Sequence, residues 1–291
     1  MSTTTALDPQ VLAREVIAKV GSLATLPEVT ARILRTVEDP RSSASQLHRI
    51  VSHDPALVTR ILKVVNSAFY GLPGQIASIE RAIVLLGLNA VKNLAVAASL
   101  GQLFRGNVTL CGEFTPKDLW SHCVGVGVAA RGLARLTKLP VADEAFLAGM
   151  VHDVGLVVHL QVTPEKLKEV CERSLAGEAD FCELERQVIG VDHQEMGRAL
   201  AAHWKFPRTC QMAAGYHHRP DALGEDGHIL VNLVHIADVL CCQEHVGFDL
   251  TARDQAIGAA SLKAVGLDAA SVEEFRKTLG PLIKDVAPVV G

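Results

Sequence analysis

At 291 residues, with 49% hydrophobic but only 4% aromatic side chains, the chain can bury a large core built from Ala, Val, Leu and Ile. Charge is nearly balanced, 28 Lys and Arg against 32 Asp and Glu, and the absence of a basic block or an acidic tail disfavours DNA binding. Seven cysteines without a CxxC pair read as reduced thiols, the start MSTTTALDPQ lacks a signal peptide's pattern, and no apolar run reaches the roughly 18 residues of a membrane span. Together these predict a cytoplasmic protein with no membrane partner.

Helical periodicity dominates the chain. Leu26, Val29, Ile33, Leu34 and Val37 recur at three- and four-residue spacings after Pro27, and Asp39-Pro40 stops that helix. Leu47, Ile50 and Val51 share one face of a second helix. Asp54 caps a third, with Pro55 in its first turn and Leu57, Ile61, Val64, Val65 and Ala68 turned inward. Asn66-Ser67 reads as a polar pair bonding backbone near that helix's end. Gly71 to Gly74 interrupts, Ser78 opens a further helix through Ile83 and Leu86, and an apolar stretch follows from Gly87 to Gly101. Residues 45 to 66 have the length of a helix-turn-helix. Its turn is His53-Asp54-Pro55, and only Arg60 and Lys63 are basic on the second helix, too few for DNA reading.

From Gly106 to Pro116 the chain turns polar, a join between two helical lobes. Thr115 and Asp118 form a capping pattern around Pro116, and Asp192 to Glu195 opens another helix in the same way, with Val191 and Met196 as a staple. Ser271 to Glu274 begins the last helix, which Gly280-Pro281 is expected to interrupt. No stretch alternates as a strand does, so an all-α fold is predicted.

His152-Asp153 stands out inside AFLAGMVHDVGLVV, because an unpaired buried carboxylate costs several kcal/mol and needs a cation, a metal or several donors. Asp238 poses the same problem inside LVNLVHIADVL, and His122 sits among the small residues CVGVGVAA. Taken singly, each has an ordinary reading. His193 is then a solvated first-turn residue, His217-His218 a helix C-terminus favoured by the dipole, Asp118 a cap, and His235 a hydrogen-bond partner for Asp238. His48, His53, His159, His203, His228 and His245 carry no further signal.

The order His122, His152-Asp153, His193, His217-His218, Asp238 resembles the ligand order of the HD superfamily, and most closely that of HD-GYP cyclic-dinucleotide phosphodiesterases. That resemblance implies metal ligands at these seven positions, two or more ions of Fe, Mn or Zn, and a further carboxylate at Asp118. The chain departs from the catalytic pattern at Leu156, where that family usually has Lys, and in RPDALGEDGHI, which lacks a Gly-Tyr-Pro loop. Arg219, Arg198 or Lys205 are the candidates to replace that Lys against phosphate.

Residues 23 to 100 resemble a particular branch. LATLPEVTARILRTVEDP, LHRIVSHDPALVTRILKVVNSAFYG and IASIERAIVLLGLNAVKNL are similar to the HDOD domain, with Leu26-Pro27, Asp54-Pro55, Asn66-Ser67 and Ile79 to Gly87 as its marks. The resemblance implies an HDOD domain over 18–220, made of an N-terminal lobe (18–105) and an HD-like lobe (115–220), with helices of 221–291 completing the second. It implies a bacterial regulator without catalysis that contacts signalling proteins such as cyclic-dinucleotide enzymes or response regulators. A metal-dependent phosphohydrolase and a non-hydrolysing cyclic-dinucleotide receptor are the alternatives. The sequence sets no oligomeric state.

Overall fold

The computed structural model describes residues 9–19, 26–37, 41–104, 112, 114–224 and 229–290, and among them sixteen α-helices, two short 3₁₀ turns and no strand. The expected stop at Asp39-Pro40 and most of the Gly106 to Pro116 join lie outside the described residues.

After α1 (Pro9–Lys19), the N-terminal lobe is formed by α2 (Glu28–Val37), α3 (Ala44–Val51), α4 (Pro55–Val65), α5 (Ile79–Leu86) and α6 (Leu88–Leu100). Their starts follow local chemistry. Ser43, Asp54 and Ser78 each accept a backbone N–H from the first turn of the helix they precede, an arrangement worth about 1 kcal/mol per cap. Gly87, at φ +89°, separates α5 from α6, a conformation that only glycine adopts without strain. Asn66 ties down the segment after α4: its amide donates to Leu62 O and Ile76 O at 2.8 Å, and its Oδ1 accepts from Ile76 N at 2.6 Å. The polar pair thus bonds backbone, as its position at a helix end predicts.

The second lobe contains α7 (Pro116–Leu136), α8 (Ala142–Val151), α9 (Val154–Val162), α10 (Pro164–Leu175), α11 (Phe181–Val188), α12 (His193–His203) and α13 (Arg208–Tyr216). It is completed by α14 (Ile229–Gln243), α15 (Ala259–Val265) and α16 (Ala269–Val290). The long α7 is the hub, packed by α8, α14 and α16. Helices α7 and α8 meet backbone to backbone. A Cβ added to Gly149 would fall 2.7 Å from Gly127 Cα, and this close approach sets the spacing of the residues that follow each glycine.

One continuous hydrophobic core runs from Ala13 to Val286 and joins both lobes. Helix α1, for which the sequence carried no expectation, buries Ala13 and Ile17 and packs on α12. At the lobe junction, buried Arg131 of α7 donates to Asp143 Oδ1 at 3.0 Å and Phe69 O at 2.9 Å, between the rings of Phe69 and Tyr70. Asn93 of α6 adds a hydrogen bond to Asp143 O at 3.2 Å.

Two expectations need correction. Residues Ala142–Val162 form a 21-residue stretch that is long and apolar enough to cross a membrane, whereas the sequence reading found none. His152 and Asp153 interrupt the stretch without lowering its mean hydropathy enough, and 83% of its most apolar 18 residues are buried inside the fold as a core element. Likewise α16 continues through Gly280-Pro281. Buried Val272, Leu279 and Val286 recur every seven residues, and the helix packs on α4, α6 and α7. That packing outweighs the roughly 3 kcal/mol an interior proline costs a helix.

Candidate metal centre

The helical stretch of α8 and α9 breaks only at His152 and Asp153, where the two residues cap its halves. Gly155 then lets α9 touch α12: a Cβ there would sit 2.0 Å from His193 O. His193 is the first residue of α12, placed by Asp192, whose side chain accepts from Glu195 N at 2.9 Å. His122 projects from the middle of α7, His217 and His218 follow α13, and Asp238 lies within α14. Six of these seven residues are fully buried, and the His218 side chain is 3% exposed. His193 is therefore not a solvated first-turn residue; the contact of α12 with α9 covers it.

The donor atoms converge on Asp153. Its Oδ1 lies 3.3 Å from both His193 Nε2 and His217 Nε2. Its Oδ2 lies 3.3 Å from His152 Nε2 and 3.9 Å from His122 Nε2. Asp238 closes the far side, with Oδ1 at 3.1 Å from His122 Nε2 and Oδ2 at 3.4 Å from His218 Nδ1. Asp153, His193, His217 and His218 each place a donor atom within 4.8 Å of the others, and so do His122, His152 and Asp153. Asp153 thus belongs to two adjoining groups, one oxygen toward each.

The backs of the imidazoles decide what their fronts can do. Nδ1 of His122, His152 and His217 faces the carbonyl oxygens of Val246, Gly149 and Ala213, at 3.2, 2.7 and 3.0 Å. A carbonyl only accepts, so each Nδ1 carries the proton and each Nε2 presents a lone pair to the cluster. His193 Nδ1 lies 2.6 Å from Glu185 Oε2 in the same manner. Lone pairs therefore face lone pairs and carboxylates: His193 Nε2 is 3.1 Å from His218 Nε2 and 3.3 Å from His217 Nε2. His152 Nε2, both Asp153 oxygens, His218 Nδ1 and Asp238 Oδ2 are buried without a hydrogen-bond partner. Such an arrangement could hold a metal ion.

The electrostatics agree with that donor chemistry at the two carboxylates, His217 and His218, while against burial Asp153 and Asp238 push His152 up. Burial works against the Asp153 charge, but the imidazole of His152 beside it holds its pKa well below the usual carboxylate range. Asp238 is likewise held low against burial by the imidazoles of His122, His218 and His152 around it. Burial, with His217 alongside, pushes His218 well down, and burial lowers His217 as well. Ionised carboxylates and neutral imidazoles are the forms that bind metal. His193 differs: burial opposes its charge, but the Glu185 carboxylate pushes its pKa up to about 10. Burial raises the Glu185 carboxyl too, so the pair holds one proton between them on the side away from the cluster.

Glu185 was missed by sequence reasoning. It sits in α11 among Glu183, Arg186 and Gln187, which are exposed, yet is itself fully buried and also accepts from His193 N at 3.0 Å. The available signal was its register, four residues after Phe181 and three after Cys182 on the buried face. Behind it, His159 is buried 3.6 Å from Glu185 Oε1, and burial pushes its pKa down to about 3.

Two expectations at the periphery come out differently, those for Asp118 and His235. Asp118 is not brought into the cluster; its Oδ2 accepts from Thr115 N at 2.8 Å and Thr115 Oγ1 at 2.6 Å, which makes it the capping-box carboxylate. His235 does not pair with Asp238, because its Nδ1 donates to His217 O at 2.8 Å. Arg219 follows the cluster in sequence but turns to Glu195, 3.4 Å away. Leu156 is buried in the core, where it can contact no phosphate. Cys242 lies 3.5 Å from Asp238 Oδ1, a thiol neighbour that sequence alone did not connect to the cluster.

The HDOD domain family model matches residues 23–220. The chain belongs to the HDOD family. An HDOD domain protein of unknown function from Geobacter sulfurreducens is 23% identical, with a TM-score of 0.77 over 97% of both chains. A protein from Marinobacter aquaeolei VT8, provisionally named a signal transduction protein, is 23% identical with a TM-score of 0.75, covering 99% of this chain and 67% of that one. One from Shewanella amazonensis SB2B, provisionally named a phosphohydrolase, is 21% identical with a TM-score of 0.71 over 95% and 98%. These likenesses establish the fold. An uncharacterised protein of Treponema pallidum (strain Nichols) is 28% identical over 230 residues, 78% of this chain, which spans 44% of that relative's length.

Proposed function

We propose that this HDOD protein is a bacterial regulator that holds one or more divalent ions, Fe, Mn or Zn, and acts through protein contacts without turning over a phosphoester. One observation carries the metal: four buried imidazoles with Nδ1 committed elsewhere turn Nε2 lone pairs onto two carboxylates. His122, His152, Asp153 and Asp238 would hold one ion, and Asp153, His193, His217 and His218 another. A bound ion of this kind supplies Lewis acidity and, in hydrolases, an activated water. Here the donors are sealed, at most 3% exposed, and the position after the His-Asp-Val-Gly turn is a buried Leu156, so among the described residues no cation is placed with the donors to grip a phosphate. The partners we propose are signalling proteins of the cyclic-dinucleotide enzyme or response-regulator type.

The complete donor set favours a second reading, a metal-dependent phosphohydrolase acting on a cyclic dinucleotide or nucleotide. One preparation tests both. Metal analysis of protein purified anaerobically without chelator should find one or more equivalents of Fe, Mn or Zn, lost in His152→Ala/Asp153→Ala. A metal-free wild type would refute the metal centre. Phosphodiester cleavage abolished by the double substitution would replace the regulatory reading with the enzymatic one.

A further inference from the structure

Where α1 crosses α12 and α13, a cavity of about 150 Å³ opens to solvent, and no residue lining it belongs to the donor cluster. Arg14 comes from α1, Arg198 from α12, and Arg219 from the turn after α13, with the amides of Gln10 and Gln211 completing the polar wall. One carboxylate, Glu195, faces these three guanidinium groups. Three like charges around one lining carboxylate repel one another, and an anion between them would relieve that repulsion.

Side-chain detail shows a wall already shaped. Arg198 donates to Tyr216 Oη at 2.8 Å, and the guanidinium groups of Arg198 and Arg219 lie 5.5 and 5.8 Å from the centre of the Tyr216 ring. Gly215 leaves the space through which the Arg198 stem passes; a Cβ there would fall 2.8 Å from Arg198 Cδ. Arg219 spends one nitrogen on Glu195, 3.4 Å away, while its buried Nε has no partner. Glu195 Oε2 is buried and unpartnered as well, so this contact leaves both groups incompletely satisfied.

We propose that this cavity binds a tetrahedral oxyanion, the phosphoryl group of a small phosphorylated ligand, held by Arg14, Arg198 and Arg219. Guanidinium forks match phosphate oxygens in pairs, and three converging ones select a group of high negative charge over a carboxylate. The volume admits such a head group and excludes an enclosed dinucleotide, since pockets for whole ligands usually run to about 300–1,000 Å³. Two of the polar groups, Gln10 and Arg14, come from a helix outside the 23–220 HDOD match, so the site is assembled partly from a segment the family model does not contain.

Calorimetric titration of the full chain with inorganic phosphate, in a phosphate-free buffer, tests the proposal. Saturable millimolar or tighter binding is expected, weakened at least tenfold in Arg14→Glu and again in Arg198→Gln, and retained in Asp153→Asn. Arg14 is exposed on α1, so its reversal reports on binding without a packing defect. Binding lost in Asp153→Asn but kept in Arg14→Glu would overturn the proposal by placing phosphate on the metal centre. Absence of saturation by 10 mM, or acetate binding as tightly as phosphate, would overturn it equally.

Discussion

Arg131 and the histidine cluster are both buried charge, resolved in opposite ways. At the lobe junction the guanidinium is used up by Asp143, the Phe69 carbonyl and two aromatic faces, all supplied by the protein. At the cluster, seven buried polar side chains converge, but most of the atoms that meet are acceptors, and several stay unpartnered. A closed network of the first kind specifies how two lobes dock. An open one of the second kind could be completed by a metal ion, which is how a binding site differs from a polar core.

The comparison is broken most strongly at the junction. Arg131→Ala removes the ties to Asp143 and the Phe69 carbonyl and is expected to cost about 1–3 kcal/mol, read by urea denaturation, while the metal content of the folded fraction stays at the wild-type value. An equal loss of metal would mean that the two regions form one network. Glu185→Gln sharpens the other side. It leaves the shape of the pair but removes the carboxylate that orients His193, so metal affinity should fall about 10- to 100-fold with little change in secondary structure. Competition with a chromophoric chelator measures it; an unchanged affinity would make Glu185 a packing residue. Smallest is Asp118→Asn, expected to cost about 1 kcal/mol as a lost cap with metal content intact. Loss of an ion in that variant would restore Asp118 to the ligand set.

Much of this was legible in the chain. His152-Asp153 in an apolar run could not be solvated, and the ordered histidines converge as the resemblance to the HD superfamily implies. The capping residues Asp54, Ser78, Thr115 and Asp192 act over three residues and read directly. What escaped depends on contacts between distant elements. Glu185 looks solvated beside Glu183 and Arg186 until α11 turns it onto His193. The continuity of α16 through Pro281 is decided by its seat on α4, α6 and α7. The carbonyl of Val246, which fixes the tautomer of His122, is a backbone atom 124 residues away and has no sequence signature.

The same separation has a kinetic consequence. His122 and Asp238 meet across 116 residues, so no fragment short of that loop can assemble the full donor set. If that loop closes after the rate-limiting barrier, an ion that needs all the donors binds only on the native side of it. Metal should then slow unfolding and leave the folding rate nearly unchanged, so that a chelator shortens the lifetime of the native state without impeding its formation.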